Sequence, residues 1–214
     1  MIRIECEQGG QEWLRAKVGI PSASNMHRIL TPKTMKPSAA MEGYAYELIA
    51  ERLLGRPLDD ATTEFMQRGN LLEKSARDWY ALQRDCDVER VGFITRDDGR
   101  VGCSPDGLIG AKRGLEIKCP SAAVHVGYML GEAADKYRCQ VQSSLWITER
   151  EAWDWVSFNP ELSPVLIEFH RDEPFITALA AAVEQFLSMR DEMLLKLARL
   201  GHIAQPVVPA LRIA

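Results

Sequence analysis

The chain has 214 residues, 46% of them hydrophobic and 26% charged, the balance of an ordinary globular α/β protein and not of a disordered or fibrous one. No apolar run approaches the roughly 18 residues of a membrane span. The amino terminus MIRIECEQGG puts acidic residues where a secretory signal needs an apolar stretch, so a cytoplasmic location is expected.

Residues 11–19 read as a helix stopped by Gly19-Ile20-Pro21, after which Ser22 or Ser24 caps a short helix through Leu30. TPKTMKP, residues 31–37, reads as a loop. Ser38 opens a helix that ends at Gly55, with Pro57 just beyond. A second long helix runs from about Thr62 to Arg84, with an apolar stripe of Leu71, Leu72, Ala76 and Trp79-Tyr80. The period then changes. Val88–Thr95, Arg100–Cys103 and Leu115–Lys118 are short β-type segments separated by DDGR and GAKRG. Helices are predicted at about 121–130 and 135–147, alternating strands at 152–158 and 165–171, and a long helix over 173–200. The order predicts one domain over residues 1–214, with a central mixed β-sheet flanked by helices. An apolar, proline-broken tail, GHIAQPVVPALRIA, closes the chain. Its Val207–Ile213 stretch either covers the chain's own core or packs on a neighbouring subunit.

The net charge of −4 argues against a broadly basic nucleic-acid binder. The charge divides unevenly, however. Residues 1–40 carry six Lys or Arg against three Glu, a balance of +3, which leaves −7 for the remainder. Such a split suits a basic entry to a site with an acidic floor, or simply two solvated faces. Cys6, Cys86, Cys103, Cys119 and Cys139 contain no CxxC pair and read as small apolar fillers, since zinc or iron–sulfur ligation needs closer spacing.

Chemistry concentrates in GCSPDGLIGAKRGLEIKCP, residues 102–120. Asp106 ends one β-like segment, with DGL as a tight turn behind it, and Glu116 sits in the next. A hairpin of that length brings both carboxylates to one sheet edge, and Glu116 and Lys118, two apart on a strand, share a face. Two carboxylates and an ammonium suit Mg²⁺ or Mn²⁺, with Ile117 O as a further ligand and Lys118 to orient water or offset charge on a phosphate. The bland alternative is an ordinary hairpin with a surface Glu–Lys pair. It sits poorly with the apolar run LEIKCP, where a buried pair is costly unless something offsets it.

The segment resembles the PD-(D/E)xK nuclease core, and more narrowly the lambda exonuclease and YqaJ-type viral recombinase family. The likeness extends, in order, through EQGGQEWLRAKVGIPSASNMHRIL, RGNLLEKSARDWY, CSPDGL, GLEIKCP and YRCQVQSSLWIT. It implies a restriction-endonuclease-like PD-(D/E)xK core. Asp106 and Glu116 match metal-binding carboxylates, Lys118 the catalytic lysine, Glu73 a helical glutamate of the same centre and Gln140 a glutamine beside it. Ser24, with Ser104 of the CSPDG turn, matches a pocket for a 5′-phosphate. Lys17 stands where the family carries an arginine, a point charge in place of a bidentate fork. Each position keeps a structural reading: Glu73 as an i,i+4 partner of Arg77, Ser24 as a helix cap, and the histidines as structural. Gln140 and Gln142 do not share a helical face, so one of them at most points at the centre.

The resemblance further implies a Mg²⁺-dependent, processive 5′-to-3′ exonuclease on linear double-stranded DNA. Two ions per site, Mn²⁺ as substitute, a ring-shaped homotrimer, and a single-strand annealing protein acting on the 3′ overhang come with it. Rival readings are a restriction-type endonuclease on the same core, or a catalytically silent DNA-binding subunit.

Overall fold

The computed structural model describes residues 1–58 and 64–204, with residues 64–70 as backbone only. The tail segment Val207–Ile213 and the start expected for the second long helix at Thr62 lie outside the described residues. In chain order the elements are β1 (Ile2–Ile4), α1 (Gln11–Lys17), a 3₁₀ helix (Ala23–Arg28), β2 (Leu30–Thr31), β3 (Lys36–Pro37), α2 (Met41–Leu54) and α3 (Glu64–Arg84). They continue with β4 (Phe93–Thr95), β5 (Gly102–Cys103), β6 (Gly107–Ile109), β7 (Arg113–Lys118), α4 (Ala122–Met129), α5 (Ala133–Thr148), β8 (Ala152–Ser157), β9 (Val165–His170) and α6 (Glu173–Arg199). Among the described residues no helix is long and apolar enough to cross a membrane.

The main sheet has the order β6-β7-β8-β9. β7 and β8 pair in parallel, and the other two pairings are antiparallel. The parallel pair needs a crossover, which α4 and α5 provide. A second sheet, β1-β4-β5, lies upstream, and β2-β3 forms a small hairpin. The mixed sheet flanked by helices is the architecture the element order predicts.

Four local expectations need correction. The 31–37 loop is closed into the β2–β3 hairpin, Leu30 pairing with Pro37. Ser22 occupies the cap position of a 3₁₀ helix but makes no side-chain capping bond. DGL after Asp106 is not a turn: Gly107–Ile109 is strand β6, so Asp106 precedes a strand instead of ending one. The chain reverses further on, where Gly110 takes φ +51°, a region open to glycine. Finally, β8 does not alternate, because all six of its residues are buried between covered faces.

Both faces of the sheet are packed. Trp153 and Trp155 of β8 join the larger core with Phe175, Leu179 and Val183 of α6. Val156, with Leu115 and Ile117 of β7, packs against Ala76 and Tyr80 of α3. On the α3 side the fully buried Asp154 accepts from Tyr80 Oη at 2.6 Å and Arg113 at 2.5 Å, which satisfies its charge. Arg150, itself buried, clasps the β6–β7 turn by donating to Gly110 O at 2.9 Å and Arg113 O at 2.7 Å. Gly114 pairs with Trp153, and a Cβ there would lie 2.3 Å from the indole ring. Gly114→Ala is therefore expected to cost about 1–3 kcal/mol by overpacking, read as a lowered midpoint in urea with unchanged slope.

Candidate active site

Because β7 is covered on both faces, it carries a carboxylate and an ammonium into the protein. Leu115 and Ile117 face α3, while Glu116 and Lys118 face the other way. Glu116 is 4% exposed, and its Oε1 accepts from Lys118 Nζ and from Gln140 Nε2 of α5, each at 2.6 Å. Two donors offset the desolvation of this carboxylate. Gln142 turns away: its Nε2 donates to His170 O at 2.7 Å and its Oε1 accepts from Asp172 N at 2.9 Å. Of the two glutamines, one therefore reaches Glu116.

Asp106 sits immediately before β6, one step beyond the Gly107–Leu115 pair, and so lies across from Glu116. Its N–H donates to Leu115 O at 3.0 Å, and its Oδ2 accepts from the Ile117 N–H at 2.5 Å. Burial, then the neighbouring Glu116 charge, push its carboxyl well above the ordinary carboxylate range, with Lys118 offsetting part of the rise. Burial on its own would lower the Lys118 ammonium. Glu116 and Asp106 outweigh that, and hold its pKa above that of a free lysine.

From α3, Arg77 Nε donates to Asp106 O at 3.1 Å and Arg77 NH2 to Glu73 Oε1 at 2.8 Å. Glu73 thus borders the same site, with its carboxylate held by the arginine one turn along its own helix. Among the described residues no group of three or more His, Cys, Asp or Glu side chains gathers as a ligand set. The carboxylates drawn together are Asp106 and Glu116, with the main chain of Ile117 between Glu116 and Lys118.

These residues open on a cleft of about 1390 Å³ whose walls include Glu73, Arg77, Asp106, Lys118 and Tyr137. A niche of about 40 Å³ is lined by Lys17, Ser22, Ser24, Ser104, Glu116 and Gln140. Lys17 borders both spaces. Its Nζ lies 3.6 Å from the Trp13 ring centroid, and Trp13 Nε1 donates to Ser104 Oγ at 2.8 Å. Burial pushes the Lys17 ammonium down to about 8, opposed in part by Glu51.

Several neighbours went unseen in the sequence. Gln8 Nε2 donates to Val91 O and to Pro105 O, both at 2.8 Å, which ties the amino-terminal segment to the residue before Asp106. Tyr137, one helical turn before Gln140, lies with its ring centroid 5.6 Å from Lys118 Nζ. The i,i+3 spacing to Gln140 and the i,i+4 spacing of Trp13 to Lys17 were the only local signals for these aromatics. His125 is buried between Ser157 Oγ at 2.6 Å and Ser163 O at 3.0 Å, a packing role.

The YqaJ-like viral recombinase domain matches residues 12–151, a span that holds Glu73, Asp106, Glu116, Lys118 and Gln140. This chain belongs to the YqaJ-like family. LHK-Exo, an alkaline exonuclease from Laribacter hongkongensis, is 30% identical in its complex with dAMP and superposes with a TM-score of 0.81 over 90% of this chain and 98% of its own. A phage related exonuclease from Haemophilus somnus 129PT shares the fold, at 15% identity and a TM-score of 0.65 over 83% of this chain and 96% of its own. The putative uncharacterized protein ExoD of Escherichia coli K12 is 32% identical over 63 residues, 27% of this chain and 70% of that one. The fold of this YqaJ-like chain is therefore the PD-(D/E)xK fold of lambda-exonuclease-like nucleases, and its family supports a nuclease role in the hydrolase class.

Proposed function

We propose that this protein is a Mg²⁺-dependent, processive exonuclease that degrades the 5′-ended strand of linear double-stranded DNA toward the 3′ direction. It releases mononucleotides and leaves a 3′ overhang. The observation that carries the reading is the Glu116 carboxylate held between Lys118 and Gln140, with Asp106 beside it at the head of an open cleft. The complex of its 30% identical relative LHK-Exo with dAMP, a deoxynucleoside monophosphate, supports a mononucleotide product.

The donor set fits a hard divalent cation. Two carboxylates share one region with a single lysine, and their mutual repulsion, added to burial, is what raises Asp106. Asp106, Glu116 and the main chain of Ile117 would hold the metal, with Glu73 at the rim. Two ions per site and replacement by Mn²⁺ belong to this reading. Bound there, Mg²⁺ supplies Lewis-acid polarisation of the phosphodiester. Glu116 and Asp106 favour the ammonium form of Lys118. That ammonium aims the attacking water and opposes negative charge growing on the phosphate. Gln140 fixes the Glu116 carboxylate from the helix side.

In the niche, Lys17, Ser24 and Ser104 receive the 5′-phosphate of the strand end. Each cut exposes a new 5′-phosphate, so the motion runs one way. A ring-shaped homotrimer would retain DNA by topology where a net charge of −4 does not, and a single-strand annealing protein would take the overhang. These two partners come from the family likeness, as does a bacterial or phage-infected cytoplasm as the place of action.

The test is digestion of linear duplex, nicked circle and closed circle, with Mg²⁺ or with EDTA, using strands labelled at either end. Mg²⁺-dependent loss of the 5′-ended strand, with closed circles intact, is expected. Cutting of closed circles would move the protein to the endonucleases while keeping its site. No hydrolysis by folded protein with metal would end the nuclease reading.

A further inference from the structure

Arg28 ends the 3₁₀ helix whose other end brings Ser22 and Ser24 to the niche. Its guanidinium lies 4.5 Å from the Tyr44 ring centroid, and Tyr44 Oη accepts from the Ser22 N–H at 3.3 Å, so one buried ring braces both ends. Glu47, three residues after Tyr44 on α2, closes a fork on the arginine: NH1 to Oε2 at 2.6 Å and NH2 to Oε1 at 2.7 Å. Arg28 and Glu47 both line the cleft that holds Asp106 and Lys118.

Two features set this pair apart from a scaffold ion pair. Its side chains are 25% and 47% exposed, so the pair can be reached by a strand in the cleft. The fork uses two of the five guanidinium donors, and among the described residues no other hydrogen bond engages the rest, which leaves them for a ligand at the cleft wall. Position suggests the ligand. Four residues of 3₁₀ helix, about 8 Å of rise, separate Ser24 from Arg28, so a strand whose end phosphate is held at Ser24 and that follows this wall brings an internucleotide phosphate to Arg28.

We propose that Arg28 is a second phosphate-binding site for the DNA strand in the cleft, held by Glu47 until an internucleotide phosphate displaces that carboxylate. The planar fork that now grips Glu47 matches a phosphate equally well. Glu47 then acts as a weak internal competitor, which favours release of the strand between steps. The proposal rests on the nuclease reading, which supplies the strand.

The experiment measures binding of a 5′-phosphorylated duplex in EDTA across a salt series, with thermal midpoints in parallel. Arg28→Gln is expected to weaken binding about five- to tenfold and to flatten the log–log salt slope by about one. Glu47→Gln is expected to tighten binding about threefold or more, since the competitor is gone. Arg28→Lys should keep the slope but lose part of the affinity. In Mg²⁺, Arg28→Gln should raise KM while kcat stays within about twofold. Opposite signs for the two neutral variants are something a purely structural pair does not produce. If Glu47→Gln weakens binding as Arg28→Gln does, or if Arg28→Gln leaves affinity and slope unchanged while wild type cuts DNA, the proposal is overturned alone. A wild type that neither binds nor cuts DNA overturns it together with the nuclease reading.

Discussion

Asp106→Asn is expected to lose cleavage by at least about 10³-fold and, in EDTA, to unfold about 2–4 °C above the wild type. The two effects share one cause. The carboxyl is pushed well above its ordinary range by burial and by Glu116, so the native state disfavours its charged form. With the native pKa above the unfolded one, stability falls as pH rises from the unfolded value toward the native one, and the loss persists above both. Asparagine carries no charge to desolvate, and its carbonyl still accepts from the Ile117 N–H that now meets Oδ2 at 2.5 Å. What disappears is the anionic oxygen a cation needs. Thermal melts give the check: Mg²⁺ should raise the midpoint of the wild type and leave that of Asp106→Asn unchanged, because binding to the native state alone stabilises it. Wild-type cleavage by the variant would remove Asp106 from the reaction. A lowered midpoint in EDTA would mean that the charge on Oδ2 stabilises the hairpin more than burial opposes it.

The second expected result is a loss of about tenfold in the preference for 5′-phosphorylated over 5′-hydroxyl ends between pH 7 and pH 9, seen in kcat/KM. Lys17 lines the niche beside Ser24 and Ser104, and burial lowers its ammonium to about 8. A lysine with a lowered pKa is cationic below that value and loses its charge as pH rises through it. The phosphate then meets a neutral amine. Lys17→Arg should make the preference independent of pH over this range, since guanidinium stays charged, and should strengthen it through a forked contact. A wild-type preference that stays flat to pH 9 would show that Lys17 is not the group reading the phosphate. Equal rates on the two kinds of end at every pH would remove the phosphate niche itself.

These expectations draw on parts of the molecule that were legible to very different degrees. Glu116 and Lys118 could be placed together from the chain alone, because side chains two apart on a strand share a face whatever surrounds it. The apolar residues about them, Leu115 and Ile117, already marked that strand as interior. Six helices were foreseen, their described ends close to those expected, because amphipathic periodicity and glycine stops act over one or two turns, whereas Ser38, read as the opener of α2, does not cap it. Strand β6 was missed because three residues, one a glycine, carry no period. A DG pair reads as a turn unless something external extends it, and here pairing with Leu115 and Gly114 extends it.

By itself, then, the sequence determined what depends on neighbours within a few residues: the helices, the two-faced strand β7, the shared face of Glu116 and Lys118, and the motif order that marks the family. Tertiary structure decided which distant groups meet there. Arg77 reaches Asp106 O across 29 positions, Trp13 meets Ser104 across 91, Gln8 meets Pro105 across 97, and Arg28 closes on Glu47 across 19. No periodicity encodes such contacts, because each forms only when separate elements, every one placed by its own buried face, are packed against a common core.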